Sequence, residues 1–518
     1  MSDESMPVAG SAVASIAAAD ADIFDVSKRG DVATLRRGAV GLPGVLFLTV
    51  TGSAPISAML FNTPLVVGFG NGIGAPAAFL FATVILVIFS VGYVEMSKKK
   101  TAAGGFYSYI SHGLGRELGL GTGFSAVAAY SVFEASLCGG FAYFLGIKLG
   151  TVGINIPWPA LALLMVVVIS VITYFDISLS AKILGVLLVG EIVFLLLFDG
   201  FMLVRGGVPL DAINPVNAFK GFDAPGPKLA AGAAGIGLFF AFWSWVGFEM
   251  APNYGEESKN PKRIVPIAMY VSVIGLGVFY TITSWASLAG YPNITAAITQ
   301  AQNDPANFYL GPARQYAVWG VADALSILII TGSFACGMAF HNTAARYFYA
   351  LGREKILPAA LGRTHPRWKS PHVASIVQSV ICALIVIAFA IIGGSNDPTK
   401  QAYLELYGLM AIMGVIIILA VQALVSLAIM VYFIREHREE VHWFRTVLAP
   451  LISFIGQAVV LVLLFQNISF IGGGLTFANW LGPIDVVIFA LGIGGALYLR
   501  QMQPAKYKTV GRLINDGL

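Results

Sequence analysis

Three glutamates stand where an acid is costly. Glu134 lies within 128-AAYSVFEASLCGGFAYFLG-146, Glu191 within 184-LGVLLVGEIVFLLLFDG-200, and Glu249 closes 243-WSWVGFE-249. Each stretch is otherwise apolar enough for lipid, and a carboxylate at the centre of a bilayer costs ~2.5–3.5 kcal/mol on insertion scales. Such an acid persists by taking a proton, by pairing with a cation or by joining a hydrogen-bond network. The chemistry on offer is proton carriage or recognition of an amine. Asp199 lies nearer the end of its run and reads as wetted. Glu256 and Glu257, beside Lys259, Lys262 and Arg263, read as a salt-bridge cluster in a loop at the membrane surface.

Two apolar runs are also interrupted. The first, 44-GVLFLTVTGSAPISAMLFNTPLVVGFG-70, carries the small polar stretch 51-TGSAPIS-57 at its middle. The second, 230-AAGAAGIGLFFAF-242, stops at 243-WSWVGFE-249. Unwound backbone in a membrane is tolerated only where it lines a cavity or meets a ligand. A half-helix starting near Pro55 points N–H groups and a partial positive charge into the first break, which suits a carboxylate. A half-helix ending near Phe242 points carbonyls into the second, which suits an ammonium. Two facing breaks make one site for a zwitterion or an amine. Trp243 at the second break is placed for a cation–π contact worth ~0.5–2 kcal/mol.

The elements that must position these groups are membrane helices. The 518 residues are 57% hydrophobic and 11% charged, far below the roughly one-quarter charged content of soluble domains. Only helices or closed barrels satisfy every backbone group in hydrocarbon. The runs, about 20 residues or longer, exceed the ~10-residue strands of a barrel. Twelve spans are expected near 42–69, 75–97, 119–146, 157–175, 180–204, 230–254, 264–289, 317–350, 372–392, 402–434, 446–465 and 479–499. With both termini cytoplasmic, only Lys148, Arg205, Lys220, Lys228, Arg314 and Lys400 of the 31 lysines and arginines fall outside. That asymmetry obeys the positive-inside rule and gives a multi-pass protein of the plasma membrane. Residues 1–40 are rich in Ala and Ser, with Asp3, Glu4, Asp20, Asp22, Asp25 and Asp31. They lack the basic start and apolar stretch of a cleavable signal and read as a mostly disordered tail.

Other chemistries find little support. Cys138, Cys336 and Cys382 lie in apolar runs without ligand spacing and read as packing residues. Of the six histidines only His341 falls inside a span, His372 standing at the first position of another, and no H-E-x-x-H, G-x-S-x-G or phosphate-binding loop is present. The sequence suggests no enzyme, metal, cofactor or nucleic-acid partner. No filter-like motif of a channel is visible.

The paired breaks, together with 104-GGFYSYISHGLGRELG-119, 239-FFAFWSWVGFE-249 followed by 256-EESKNPKRIVPIA-268, and 342-NTAARYFYALGREKILP-358, resemble the amino acid–polyamine–organocation (APC) superfamily over most of the chain. The resemblance implies a five-plus-five inverted repeat with discontinuous first and sixth helices and two added helices. It implies backbone N–H groups of the Gly52-Ser53-Ala54 break on a substrate carboxylate. Carbonyls near Phe240, Ala241 and Phe242 would then hold the amino group, with Trp243 as a lid and Val246 beside it. Glu249 would serve gating or proton sensing, and Glu134 would fall on a substrate-facing position. This chain departs from the family in reading 52-GSAP-55 where members often read Gly-Ser-Gly, and in placing Glu191 where proton-coupled relatives often carry a lysine. Thr331 and Ser333 are the neighbours expected for Glu191.

The expectation is therefore an all-α polytopic membrane protein. Its divisions are a tail at 1–40, a first repeat at 41–204, a second at 230–434, two further helices at 443–499 and a tail at 500–518. It would act as a secondary transporter importing amino acids or related amines with a proton or other cation. Its partners would be that small molecule, the coupling ion and the lipid bilayer. A polyamine or cationic amine carrier, an exchanger, and a membrane sensor built on a transporter fold stand as alternatives.

Overall fold

The computed structural model describes residues 35–100, 104–175, 177–207, 209–393, 401–472 and 475–511. The expected N-terminal tail up to residue 34, Lys400 and the last seven residues lie outside them. Among the described residues the chain is helical, with two isolated backbone bridges in place of strands. Eleven helices of the described residues are long and apolar enough to cross a membrane: α1 (Leu42–Gly70), α2 (Gly72–Lys99), α3 (Arg116–Gly150), α5 (Ala181–Arg205), α6 (Ala234–Glu257), α7 (Pro261–Ala289), α8 (Val321–Arg353), α9 (His372–Ile392), α10 (Gln401–Glu436), α11 (Trp443–Gln466) and α12 (Ala478–Met502). The expected span at 157–175 is the shorter α4 (Trp158–Tyr174), about 25 Å long at ~1.5 Å per residue. Prolines open α1 (Pro43), α2 (Pro76), α4 (Pro159) and α7 (Pro261), where a missing N–H costs no helical bond.

Burial sorts these helices. The most apolar window of α6 is 94% buried and those of α1 and α10 are 83% buried, whereas α9 and α12 reach only 28%. The two broken helices sit at the centre and α9, α11 and α12 at the rim. The loop end carrying most of the lysines and arginines is here called the basic end.

Both expected breaks are present, and narrower than their sequences suggested. The first half of α1 ends at Gly52 and the helix restarts at Pro55. Ala54, at φ 41° and ψ 72°, occupies the left-handed region between them, at a cost of roughly 1–2 kcal/mol for a residue with a Cβ. In α6 a regular helix runs Ala234–Trp243, a turn follows, and Phe248–Glu257 continues as a tighter 3-10 winding three residues past the expected end. Gly247 turns the chain at φ 121°. A Cβ there would lie 2.3 Å from the carbonyl carbon of Gly52. The two breaks touch back to back, and only glycine permits it.

The basic end is stitched by backbone. Val40 N–H donates to the Glu257 carbonyl and Lys259 N–H to that of Val40, each at 3.1 Å. The C-terminal segment returns to the same end, where Gly511 N–H donates to the Tyr107 hydroxyl (2.6 Å) and to Glu354 Oε2 (3.0 Å).

Candidate functional site

Where α1 and α6 face each other they enclose a cavity of about 30 Å³, lined in part by Gly52, Ser53, Ala54, Trp243 and Val246. Its polar lining comes from Ser53, Ser57, Asn62, Ser244, Cys336 and Tyr407, and no charged side chain contributes. The space admits one or two waters. Phe240, Trp243, Tyr403 and Tyr407 instead face a larger cavity of about 650 Å³ toward the end opposite the basic one, with Phe69, Asn467 and Ser469 near its mouth.

Trp243 and Tyr407 border both spaces and form the partition between them. Their rings stack at 5.3 Å, Phe240 stacks on Trp243 at 5.7 Å, and Tyr407 continues onto Phe61 (4.9 Å) and Tyr403 (5.4 Å). The lid position expected of Trp243 is thus filled by an aromatic stack whose other half comes from α10.

The backbone poles of α1 are satisfied by protein. Ser53 and Ala54 N–H, the expected carboxylate donors, donate to the Val50 and Thr51 carbonyls at 3.1 and 3.0 Å. The Cys336 thiol donates to the Gly52 carbonyl (3.3 Å) and the Tyr280 hydroxyl to that of Ser53 (2.8 Å). Across the breaks, Ser53 Oγ reaches the Trp245 carbonyl (3.4 Å) and Asn62 Nδ2 donates to Ser244 Oγ (2.8 Å). Of the expected carbonyls, that of Phe240 accepts both the N–H (3.1 Å) and the hydroxyl (2.9 Å) of Ser244, and that of Phe242 accepts Trp245 N–H (3.0 Å). Ala241 and Phe242 are buried without lining the cavity. A helix end in hydrocarbon cannot leave its orphan groups bare, so local turns and neighbouring helices occupy them in this conformation.

The acids go to different places. Glu191 caps the restart of α1: its Oε2 accepts Ile56 N–H at 3.4 Å, while Oε1 has no hydrogen-bond partner among the described residues. A Cβ on Gly332 of α8 would sit 2.9 Å from that oxygen. The expected neighbours Thr331 and Ser333 turn instead to their own helix, bonding the Leu328 and Ile329 carbonyls. Glu249 Oε2 accepts Gly247 N–H (2.9 Å) and Oε1 accepts the Tyr130 hydroxyl (3.0 Å), tying the α6 break to α3.

Glu134 does not line the cavity. It faces α8 and α9, 3.0 Å from His341 Nδ1 and 2.7 Å from Gln378 Nε2, and His341 Nε2 continues to Ser375 Oγ at 2.8 Å. Where a substrate-facing position was expected, the structure places the carboxylate in a satisfied interhelical network. Asp199, expected to be wetted, is 2% exposed and accepts from the Thr283 hydroxyl at 2.6 Å.

Below the breaks, Glu257 binds Arg346 Nε and Nη2 (2.8 and 2.6 Å) and Glu256 takes both terminal nitrogens of Arg353 (2.9 and 2.8 Å). These partners come from the basic end of α8, and not from Lys259, Lys262 or Arg263 as the sequence suggested. Arg346 also lies 4.6 Å from the centre of the Tyr254 ring. Of the polar lining residues, Ser57, Asn62, Ser244, Cys336 and Tyr407 escaped the sequence reading. Asn62 and Ser57 carried a usable signal, being polar groups one to two turns past a break. Tyr407 and Cys336 carried none, because only tertiary packing brings α10 and α8 to the site. Among the described residues no three His, Cys, Asp or Glu side chains gather as a metal site.

The chain is similar to known proteins. The chain is 24% identical over 343 residues to the low-affinity putrescine importer PlaP of Escherichia coli, covering 64% of this chain and 71% of that protein. It is 23% identical over 371 residues to the branched-chain amino acid permease BcaP of Bacillus subtilis (68% and 73%). It is also 23% identical over 443 residues to the methylthioribose transporter of the same organism (82% and 87%). Among solved structures, a mutant of the manganese transporter of Eremococcus coleocola matches with a TM-score of 0.58 at 11% identity, over 93% of this chain and 99% of the other, a likeness of fold alone. The family model for amino acid permeases matches residues 41–505; with its broken α1 and α6 in contact at mid-span, the chain belongs to the amino acid permease family of the APC superfamily.

Proposed function

We propose that this permease imports a small zwitterionic amino acid across the plasma membrane, with both termini cytoplasmic, by proton-coupled alternating access. The observation that carries this reading is the contact of the two breaks around a cavity with polar but uncharged walls. An α-amino acid brings opposite charges that cancel, and hydroxyl, amide and backbone dipoles suffice to hold it. A dication brings charge that needs an acid, and Glu134, the acid nearest to that role in the sequence, is committed to His341 and Gln378. The zwitterionic reading is therefore favoured over the polyamine reading that the putrescine importer suggests.

The fold behind this is twelve spans, counting α4, arranged as inverted repeats at 41–204 and 230–434. Substrate enters the 650 Å³ cavity and reaches the breaks when the Trp243–Tyr407 stack swings aside. Binding then exchanges the local turn bonds of Ser53, Ala54, Phe240 and Phe242 for bonds to substrate. Glu191 joins α5, α1 and α8 at one buried point, so its protonation weakens the bond from Ile56 N–H and loosens the second half of α1. One positive charge moving inward gains ~2.3 kcal/mol per 100 mV. At ~1.4 kcal/mol per tenfold, that sustains roughly 40-fold accumulation.

Uptake into vesicles holding the purified protein tests this. With an inward proton gradient, neutral amino acids should accumulate and putrescine should not. Accumulation of putrescine with indifference to amino acids would reverse the assignment. For coupling, Glu191→Gln is expected to abolish gradient-driven accumulation while leaving exchange of substrate. Undiminished accumulation would assign the proton elsewhere.

A further inference from the structure

At the rim, α12 carries an acid that lies outside the lining of the breaks and has no part in the cycle proposed above. Asp485 is 7% exposed, and neither of its carboxylate oxygens has a hydrogen-bond partner among the described residues. Glu134, Glu191, Asp199, Glu249, Glu256 and Glu257 each have at least one. Asp485 lines a cavity of about 420 Å³ between α3, α10, α11 and α12, within the range of small-molecule sites (roughly 300–1,000 Å³). Its walls are apolar apart from Ser125: Ile416 and Val421 come from α10, Leu461 and Phe465 from α11, and no residue bordering it is basic. Val486 (67% exposed) and Phe465 (46% exposed) stand at its rim, on the two helices least covered by protein save α9. The cavity opens sideways, toward lipid.

An unpaired buried acid with no structural bond lacks a stabilising reason to remain. A greasy chamber with a single acid selects for one chemistry: an apolar body to fill the walls and a cationic head to meet the carboxylate. We propose that this lateral cavity binds an amphipathic amine that enters from the bilayer, its ammonium on Asp485 and its hydrocarbon among Ile416, Val421, Leu461 and Phe465. The site is separate from the cavity between the breaks: the two linings share no residue, although α3 and α10 contribute to both. It does not depend on the transport reading.

The test uses the full chain in nanodiscs of zwitterionic lipid, with diazirine-bearing decylamine, decanol and decanoic acid as probes. A hydrogen bond to a charged group contributes about 1.5–3 kcal/mol, or about tenfold and upward in occupancy. The amine should label peptides around Val486, Phe489 and Phe465 at least ~10-fold more than the alcohol or the acid, and Asp485→Asn should erase the difference. Val486→Trp, a change at the exposed rim, should lower amine labelling with Asp485 intact. Both variants should keep substrate uptake, which shows that they fold. Equal labelling by amine and alcohol would assign the cavity to neutral lipid and overturn the proposal, as would amine labelling that survives Asp485→Asn. Loss of labelling only on dimerisation would assign the cavity to a second copy of the chain, and the amine site would fall with it.

Discussion

At the end of the site facing the 650 Å³ cavity, Trp243, Tyr407, Phe240, Phe61 and Tyr403 close the path by ring stacking. At the basic end, Arg346–Glu257 and Arg353–Glu256 close it by buried ion pairs, with Tyr130–Glu249 as a bond between them and the breaks. The two closures differ in kind. An aromatic pair is worth about 0.5–1.5 kcal/mol beyond its burial and tolerates sliding, so the stack can part and reform at little cost. A buried ion pair contributes little net stability when whole, yet losing one partner costs about 3–5 kcal/mol because a charge is left stranded. The aromatic end therefore parts at lower cost than the ionic end, whose charges need compensation.

Cys336, whose thiol lies on the cavity wall, can report on both ends once Cys138 and Cys382 are replaced by alanine. The largest effect is expected from Arg346→Ala. It strands Glu257 and should lower unfolding stability by about 3–5 kcal/mol, with Cys336 becoming reactive to a membrane-impermeant thiol reagent from the basic end only. Unchanged stability and reactivity would remove the ionic closure from the comparison. Next, Trp243→Leu deletes the stacks on Phe240 and Tyr407, a loss of roughly 1–3 kcal/mol over two pairs. It should expose Cys336 from the opposite end only; reactivity from both ends would mean the closures are one cooperative unit. The smallest is Tyr130→Phe, which removes one donor from Glu249 and should cost about 0.5–1.5 kcal/mol in melting stability. It should raise the exchange rate if the α3–α6 tie is broken in each cycle, and a wild-type rate would make that bond purely structural.

Much of the fold was legible because lipid imposes it. Long apolar runs, basic loops and the two polar interruptions each follow from a solvent that penalises bare polar groups. The place of Trp243 at the second interruption was legible too, since the apolar run stops there. Side-chain direction was not. Glu134 lies in the same kind of helix as Glu191, and nothing within either run says that one meets His341 and Gln378 while the other meets Ile56 and Gly332. Glu257 has three basic residues within six positions and binds none of them in preference to Arg346, 89 residues away. Proximity along the chain is a poor guide where helices of ~30 Å return to one end from distant parts of the sequence.

By itself, then, the order of residues determined that this chain crosses the membrane many times and that two crossings break at Ser53–Ala54 and after Trp243, because desolvation of the backbone acts locally and reads directly as composition. Tertiary structure alone decided that Gly247 seats against Gly52, that Tyr407 stacks on Trp243, that Glu134 turns away from the cavity and that Asp485 has no hydrogen-bond partner among the described residues. Those outcomes depend on the rotation of each helix about its axis, and that rotation is fixed by packing against helices whose identity no local stretch encodes.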